Sequence, residues 1–257
     1  MNYYFFLDFS NIGLSSHIEI FNSPSIAALY SHPLTDKNII IFCSDNNKWK
    51  YLNYGLLKKN SSITINVNDL PSDFRNKSTF LYLSEDKTNF DINYKSNYSK
   101  TTPEWRSNIK ISSDHTSCSY QGELPSIMKN KKISLLSCSP MTQYNSHHEN
   151  YFILANLTND PKIKKFDVEI LDNKKNLIDK TTFFTNSINK YNLNRLGSKT
   201  SNKMLVFKST EEGGIPLYFA RDKENKSMSL EHTHPPQAYF IFGDTIKFQK
   251  HKKKFWF

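Results

Sequence analysis

The sequence predicts an all-β protein built from two related antiparallel β-sandwich-like halves, the product of an internal duplication. The chain of 257 residues carries 19 Phe and 14 Tyr, and aromatic and β-branched residues favour strands. Segments such as Ser62–Val67 and Lys165–Leu171 alternate between polar and apolar residues, which is typical of a strand with one buried face. With only 7 Gly, the turns must rely on Asn and Asp, as in Asp45-Asn46-Asn47 and Asp172-Asn173-Lys174.

These patterns divide the chain into four segments. A lead-in segment covers residues 1–37, a first half covers 38–125, a connector covers 126–150, and a second half with a basic C-terminal tail covers 151–257. The strands predicted for the first half cover residues 38–43, 49–54, 62–67, 78–84 and 109–111. Those predicted for the second half cover residues 151–156, 165–171, 181–185, 190–194, 203–209, 217–220 and 228–230. Several short strands separated by turn residues favour a sandwich or a barrel.

A repeat supports the duplication. Ile65–Leu70 resembles Tyr191–Leu196, and each is followed by an apolar strand, Thr79–Ser84 in the first half and Met204–Ser209 in the second. A competing alignment also exists, because Leu81-Tyr82 and the residues after it resemble Leu217-Tyr218. We therefore expect a duplication but leave its register open.

The charge and the cysteines bear on partners and compartment. The formal net charge is +10, but the lysines are scattered, which favours a basic soluble protein over a nucleic-acid-binding one. The aromatic and basic residues of Lys247–Phe257 keep an anionic polymer open as a third hypothesis. The three cysteines, Cys43, Cys118 and Cys138, show no CxxC spacing. We expect free thiols in a reducing compartment.

The N-terminal segment and the apolar runs bear on localisation. Met1–Asp8 has no basic region and no cleavage site after it, so it is not expected to be a signal peptide. No apolar run reaches the roughly 18 residues of a membrane span. We expect a cytoplasmic protein without a transmembrane segment.

Each half closes near an acid-His-Thr triplet, Asp114-His115-Thr116 in the first and Glu231-His232-Thr233 in the second. Aromatic and planar polar residues flank the first triplet, and such groups stack on sugars and hydrogen-bond to them. The predicted binding residues are His115, Thr116, Trp105, Arg106, Tyr120, Glu123, Glu231, His232 and Thr233. They predict a site for a small polar ligand or a protein partner.

The second triplet also suggests a metal. His232 and His234 are two residues apart, so on a strand both imidazoles would point to one face. A complete site needs more ligands. His115 would supply one if the two triplets meet, and His147 or His148 would supply another.

This His-x-His segment resembles the first motif of the cupin family. Gly243 lies nearby, but Ala238 or Tyr239 stands where cupins have a glutamate ligand. The resemblance implies a divalent metal and an enzyme acting on a small polar or sugar-derived substrate.

A second resemblance covers most of each half. The order of apolar strand, Asn-rich turn, alternating strand and closing His-Thr is similar to that of the sensory rhodopsin transducer family, with Asn156, Val168-Glu169-Ile170, Asp172 and His232-Thr233 as the matching features. The arginine that follows His-Thr in that family is His234 here. The resemblance implies a small β-sandwich that associates or binds ligands and does not catalyse.

The first functional hypothesis is therefore a non-enzymatic ligand- or partner-binding protein that needs no cofactor and can self-associate. The alternative is the metal-dependent enzyme using His232, His234 and His115. No P-loop, GxGxxG or GxSxG motif is present in the sequence.

Overall fold

The computed structural model describes residues 2–22, 35–86, 89–93, 107–125, 135–139, 147–200 and 203–232. Within these residues seventeen strands form four antiparallel sheets, which confirms the all-β, antiparallel prediction. The predicted arrangement as two sandwich halves is wrong, because the described strands form four sheets of four or five strands that do not pair off into two sandwiches. The helical elements among them are short: α1 (Ser72–Arg75) and the 3-10 helices Ser10–Ile12, Val67–Asp69 and Leu193–Thr200. None of the helices in the described residues is long and apolar enough to cross a membrane.

The chain divides into two compact units. The first contains Met1–Ser126, Asn159–Ile163 and Asn186–Ile188. Its strands are β1 (Asn2–Phe5), β2 (Ser15–Asn22), β3 (Lys37–Asp45), β4 (Lys48–Leu57), β5 (Ser61–Asn66), β6 (Phe80–Ser84), β7 (Ser107–Ser112), β8 (Ser117–Gln121) and β9 (Glu123–Pro125). Sheet A has the order β4-β3-β6-β1-β9, and sheet B has the order β5-β2-β7-β8.

The second unit contains Ile127–Thr158, Lys164–Thr185 and Asn189–Phe257. The strands of the second half are β10 (Leu135–Cys138), β11 (His148–Ala155), β12 (Lys165–Asp172), β13 (Leu177–Phe184), β14 (Ile188–Asn192), β15 (Leu205–Ser209), β16 (Ile215–Asp222) and β17 (Met228–His232). Sheet C has the order β10-β15-β12-β13, and sheet D has the order β14-β11-β16-β17.

The strand orders of the two units correspond one to one. Four strands of sheet A, β4-β3-β6-β1, match β13-β12-β15-β10 of sheet C, and sheet B matches sheet D strand for strand. Strand β9 is the one addition among the described strands of the first unit. The predicted repeat falls in equivalent places: residues 65–70 and 191–196 join the end of a strand to a 3-10 helix, and residues 79–84 and 204–209 contain β6 and β15. The competing alignment pairs β6 with β16, whose order in their sheets differs.

The predicted boundaries differ from those of the units. Residues 1–37, predicted as a lead-in, supply β1 and β2 to the first unit, and residues 126–150, predicted as a connector, supply β10 and the start of β11. Strand β11 corresponds by position to β2. Strand β1 does not alternate between polar and apolar residues, because Tyr3, Tyr4 and Phe5 are all fully buried.

The second unit has one apolar core shared by its two sheets. A buried cluster joins residues from sheet C, such as Phe166 and Phe207, with residues from sheet D, such as Phe152 and Leu154. Phe152 and Phe207 stack face to face with ring centroids 3.6 Å apart. Aromatic stacking and apolar burial therefore hold sheets C and D together.

The sheets differ in what lies on their two faces. All residues of β6 and most of β3 in sheet A are buried, and β11 and β16 in sheet D are largely buried. In sheet B, β2 and β7 alternate between fully buried and partly exposed positions, and in sheet C part of β12 does so as well. The polar outer faces thus belong to sheet B in the first unit and to sheet C in the second.

Candidate functional site

A polar groove lies on the outer face of sheet C. Its volume is about 270 Å³. The residues that line it are Asp167, Glu169, Lys180, Lys208, Ser209, Thr210 and Glu211. This volume is just below the range of about 300–1,000 Å³ common for small-molecule sites.

The strand register places the charged groups of the groove. Glu169 on β12 lies opposite Lys180 on β13 and opposite Lys208 on β15. Its carboxylate oxygens are 3.6 Å from Lys180 Nζ and 3.4 Å from Lys208 Nζ. Two residues earlier on the same face, Asp167 accepts a hydrogen bond of 3.3 Å from the Thr182 hydroxyl. Directly opposed side chains of this kind interact across strands.

The groove is lined by charged and hydroxyl groups of both donor and acceptor character. Three carboxylates, two ammonium groups and two hydroxyls line it. The side chain of Glu169 is 36% exposed and that of Lys180 is 59% exposed, so solvent screens their ion pair, which contributes little to stability. Weakly held charges of both signs can re-pair with a polar ligand at small cost, which suits a small molecule that carries an amino and an acidic group.

The outer face of sheet B is a second polar surface. Its side chains come from β2, β5, β7 and β8, all of them partly or fully exposed. They are Ser15, His17, Glu19, Phe21, Ser62, Thr64, Asn66, Asn108, Lys110, Ser112, Ser117, Ser119 and Gln121. They face outward because the core-facing positions between them are occupied by residues such as Ile18 and Ile109.

His17 lies near the centre of this face, opposite Asn66 on one side and Lys110 on the other. Burial, and then the positive charge of Lys110, lower the pKa of His17, and Glu19 opposes part of this shift. The imidazole is therefore neutral at physiological pH, with one donor and one acceptor nitrogen.

The first predicted triplet forms a turn. Asp114, His115 and Thr116 lie between β7 and β8, where the Ser113 N–H donates to the Thr116 carbonyl at 2.9 Å. The Ser113 hydroxyl accepts hydrogen bonds from the backbone N–H groups of His115 and Thr116, both at 3.2 Å. The side chain of His115 is exposed. Local turn formation by a serine hydroxyl accounts for the backbone of this triplet.

Tyr120 and Glu123 lie on the core side of sheet B and at the start of β9. Tyr120 is opposite Ile109 and half-buried, and burial, followed by the charge of Glu123, raises its pKa. The Glu123 carboxylate accepts a hydrogen bond from the Ser107 N–H at 3.3 Å. These two predicted binding residues are thus close to each other but face away from the open surface of the sheet.

The second triplet occupies a different place in the fold. Glu231 and His232 are the last two residues of β17, opposite Tyr218 and Leu217. Strand β17 corresponds to β8, so the first triplet precedes this strand and the second ends it. The side chain of Glu231 is exposed. The similarity of the two triplets therefore reflects composition and not equivalent positions.

Several predicted residues lie outside the described residues, namely Trp105, Arg106, Thr233 and His234. Among the residues that the structure describes, no group of three or more His, Cys, Asp and Glu side chains is arranged to hold a metal ion. Because His234 is not among them, the metal hypothesis stays a prediction. Burial raises the pKa of both Cys43 and Cys118 to about 11, so neither thiol is activated as a nucleophile.

Sequence reasoning did not identify the groove. Asp167, Glu169, Lys208 and Ser209 fall in segments that were predicted as strands, and the alternation of Lys165–Leu171 marks Asp167 and Glu169 as outward-facing. The sequence does not show which strands lie beside β12 in the sheet, so it could not place these residues next to one another. The cross-strand pairing of β15 with β12 brings Lys208 to Glu169.

Comparison with known proteins does not assign this chain to a family. No family model matches the chain, and no curated protein matches it. Among solved structures, a beta-glucuronidase from glycoside hydrolase family 2 aligns with 11% sequence identity and a TM-score of 0.10, covering 89% of this chain and 23% of that chain. A likeness at this level carries no information about fold or activity.

Proposed function

We propose that the chain is a non-enzymatic binding protein that takes a small polar ligand in the groove of sheet C. The observation that carries the proposal is the row Lys180–Glu169–Lys208, three charged side chains on three adjacent strands at the floor of a cavity of about 270 Å³. A ligand with one cationic and one anionic group could replace these ion pairs with its own. Its amino group would bind Asp167 or Glu169, and its acidic group would bind the lysines.

The architecture we propose is a duplicated two-sheet unit. The matching strand orders of sheet C and four strands of sheet A, and of sheets B and D, support a duplication. The thiols of Cys43 and Cys118 are not in disulfide bonds, which supports a reducing, cytoplasmic location.

A second candidate function is the binding of a protein partner. Strand β4 is the last described strand on one edge of sheet A and exposes Tyr51, Leu52 and Leu56 by 50%, 36% and 49%. Apolar residues on an edge strand favour pairing with another chain, including a second copy of this one.

The groove is tested by thermal-shift titration with amino acids, amino sugars and uronic acids as probes. A ligand present at a hundred times its Kd stabilises the folded state by about 2.7 kcal/mol, which raises the melting temperature measurably. We expect one class of probe to stabilise the wild type and Lys165→Gln, a control on the same strand outside the groove. Glu169→Gln and Lys208→Gln should lose this stabilisation. If the groove variants respond like the wild type, or no probe stabilises any of them, the proposal fails.

A further inference from the structure

The outer face of sheet B is electrically balanced on a strongly basic chain. Lysine and arginine outnumber acidic residues by 34 to 24 over the whole sequence. On this face, however, the charged residues are Glu19 and Lys110, one of each sign. The remaining positions carry hydroxyl, amide, imidazole and phenyl groups. A surface of this kind has no electrostatic preference for an anionic polymer and matches an uncharged, hydrogen-bonding partner.

Two amides of this face are available for a ligand. Asn108 and Gln121 lie opposite each other on β7 and β8 and are both exposed. Within the described residues, neither side-chain amide is hydrogen-bonded to the protein. Each therefore offers one acceptor oxygen and two N–H donors. Such paired donors and acceptors fit the vicinal hydroxyl groups of sugars.

The rings and the dimensions of the face also suit a sugar chain. His17 and Phe21 are half-buried on the central strand β2, so each presents part of a planar ring on which the C–H face of a pyranose can stack. Four strands about 4.8 Å apart give a surface about 14 Å across. This is wide enough for consecutive sugar units to contact different strands.

The corresponding face of the second unit shows that the polar character is not imposed by the topology. On sheet D the outward positions carry Ile153, Leu217, Phe219 and Leu230, which are at most 5% exposed. The polar groups that β11 and β16 place on this face are at one end of the two strands, namely Tyr151 and the Glu149–Arg221 ion pair. The same four-strand arrangement thus carries a largely apolar, covered face in one unit and a polar, exposed face in the other. The composition of the sheet B face is a property of that unit alone.

We propose that the outer face of sheet B binds a neutral carbohydrate chain, with Asn108 and Gln121 as hydrogen-bonding residues and His17 and Phe21 as stacking residues. This site lies on a different sheet and unit from the groove of sheet C and does not depend on it.

A printed array of neutral and acidic glycans tests the proposal with the full-length protein. We expect binding to one or more neutral glycans. The double variant Asn108→Ala/Gln121→Ala should bind about tenfold more weakly or worse, because two hydrogen bonds are lost. Asn173→Ala, which removes an exposed amide in the second unit, should bind like the wild type, and circular dichroism should show that all variants are folded.

Three results would overturn the proposal. They are the absence of binding to any neutral glycan, binding confined to sulfated or carboxylated glycans, and neutral-glycan binding that the double variant retains. Glu169→Gln separates the two proposals: it should abolish the thermal shift in the groove of sheet C and leave glycan binding unchanged.

Discussion

Truncation of Phe207 tests whether sheets C and D are held by one core. Phe207 on β15 is fully buried and stacks on Phe152 of β11 with ring centroids 3.6 Å apart and ring planes 3° from parallel. Phe166 and Val168 belong to the same buried cluster. Because close-packed neighbours cannot fill the space of a phenyl ring, Phe207→Ala leaves a cavity between the two sheets.

The expected cost is large for a protein of this size. Truncation of a buried phenylalanine costs about 3–5 kcal/mol, against a typical total stability of about 5–15 kcal/mol. At roughly 2–4 °C per kcal/mol, the melting temperature should fall by about 6–20 °C. The double variant with Phe152→Ala should be less destabilised than the sum of the single variants, with a coupling of about 0.5–1.5 kcal/mol from the ring pair.

Urea unfolding followed by circular dichroism measures these free energies. The matched control is Phe184→Ala, on β13 of the same sheet, where the ring is 40% exposed and truncation should cost about 0.5 kcal/mol or less. If Phe207→Ala costs no more than the control, or the effects of Phe152→Ala and Phe207→Ala are additive, the two sheets do not share the core described for them.

Three further predictions concern polar groups. Glu149→Gln should destabilise the protein by about 2–3 kcal/mol in urea unfolding, because it removes the charge partner of the Arg221 guanidinium, which is 8% exposed and lies 2.7–2.8 Å from the Glu149 carboxylate. Adding Arg221→Met to the same chain should restore part of the lost stability, and the absence of any restoration would contradict this explanation. Asn186→Ala should cost about 1–3 kcal/mol by calorimetry, because the buried amide donates to the Asp160 carbonyl at 2.7 Å, and a loss no larger than that of an exposed asparagine would show the bond to be unimportant. Hydrogen bonds from the Asn176 amide, and then from backbone N–H groups, lower the pKa of Asp172. The contribution of Asp172 to stability is therefore present above its unfolded-state pKa of about 4 and is lost as the pH falls through the lower folded-state value. In thermal scans at decreasing pH, Asp172→Asn should lose less stability than the wild type, and parallel pH profiles of the two proteins would refute this.

Strands with one buried face were predicted closely. Ser62–Val67 and Lys165–Leu171 were predicted within one residue at each end of β5 and β12, because one face of each packs on the core and alternation is visible. The turn after Asp45 was also predictable. Asn46 and Asn47 adopt positive φ of 50° and 60°, a conformation that asparagine tolerates and a two-residue hairpin requires.

What could not be predicted depends on contacts between distant segments. Strands β1 and β10 are short and buried, so they carry no periodic signal and were assigned to a lead-in and a connector. The groove of sheet C requires β15 to insert beside β12, and nothing in the residues around Glu169 or Lys208 specifies that pairing. The two triplets suggested equivalent positions because their residues are similar, but His115 lies in a turn and Glu231 lies in a strand.

The two exposed polar faces lie on sheets that do not correspond. If the units arose by duplication and both still performed one task, equivalent sheets would carry equivalent outer faces. Instead, the polar face is sheet B in the first unit and sheet C in the second, while their counterparts D and A are largely apolar and buried. Glu169 of sheet C lies between two lysines, whereas Asn108 of sheet B lies in a row whose one charged residue is Glu19. Because the two surfaces differ in both position and charge, the two proposals predict that variants at Glu169 and at Asn108 affect separate binding reactions.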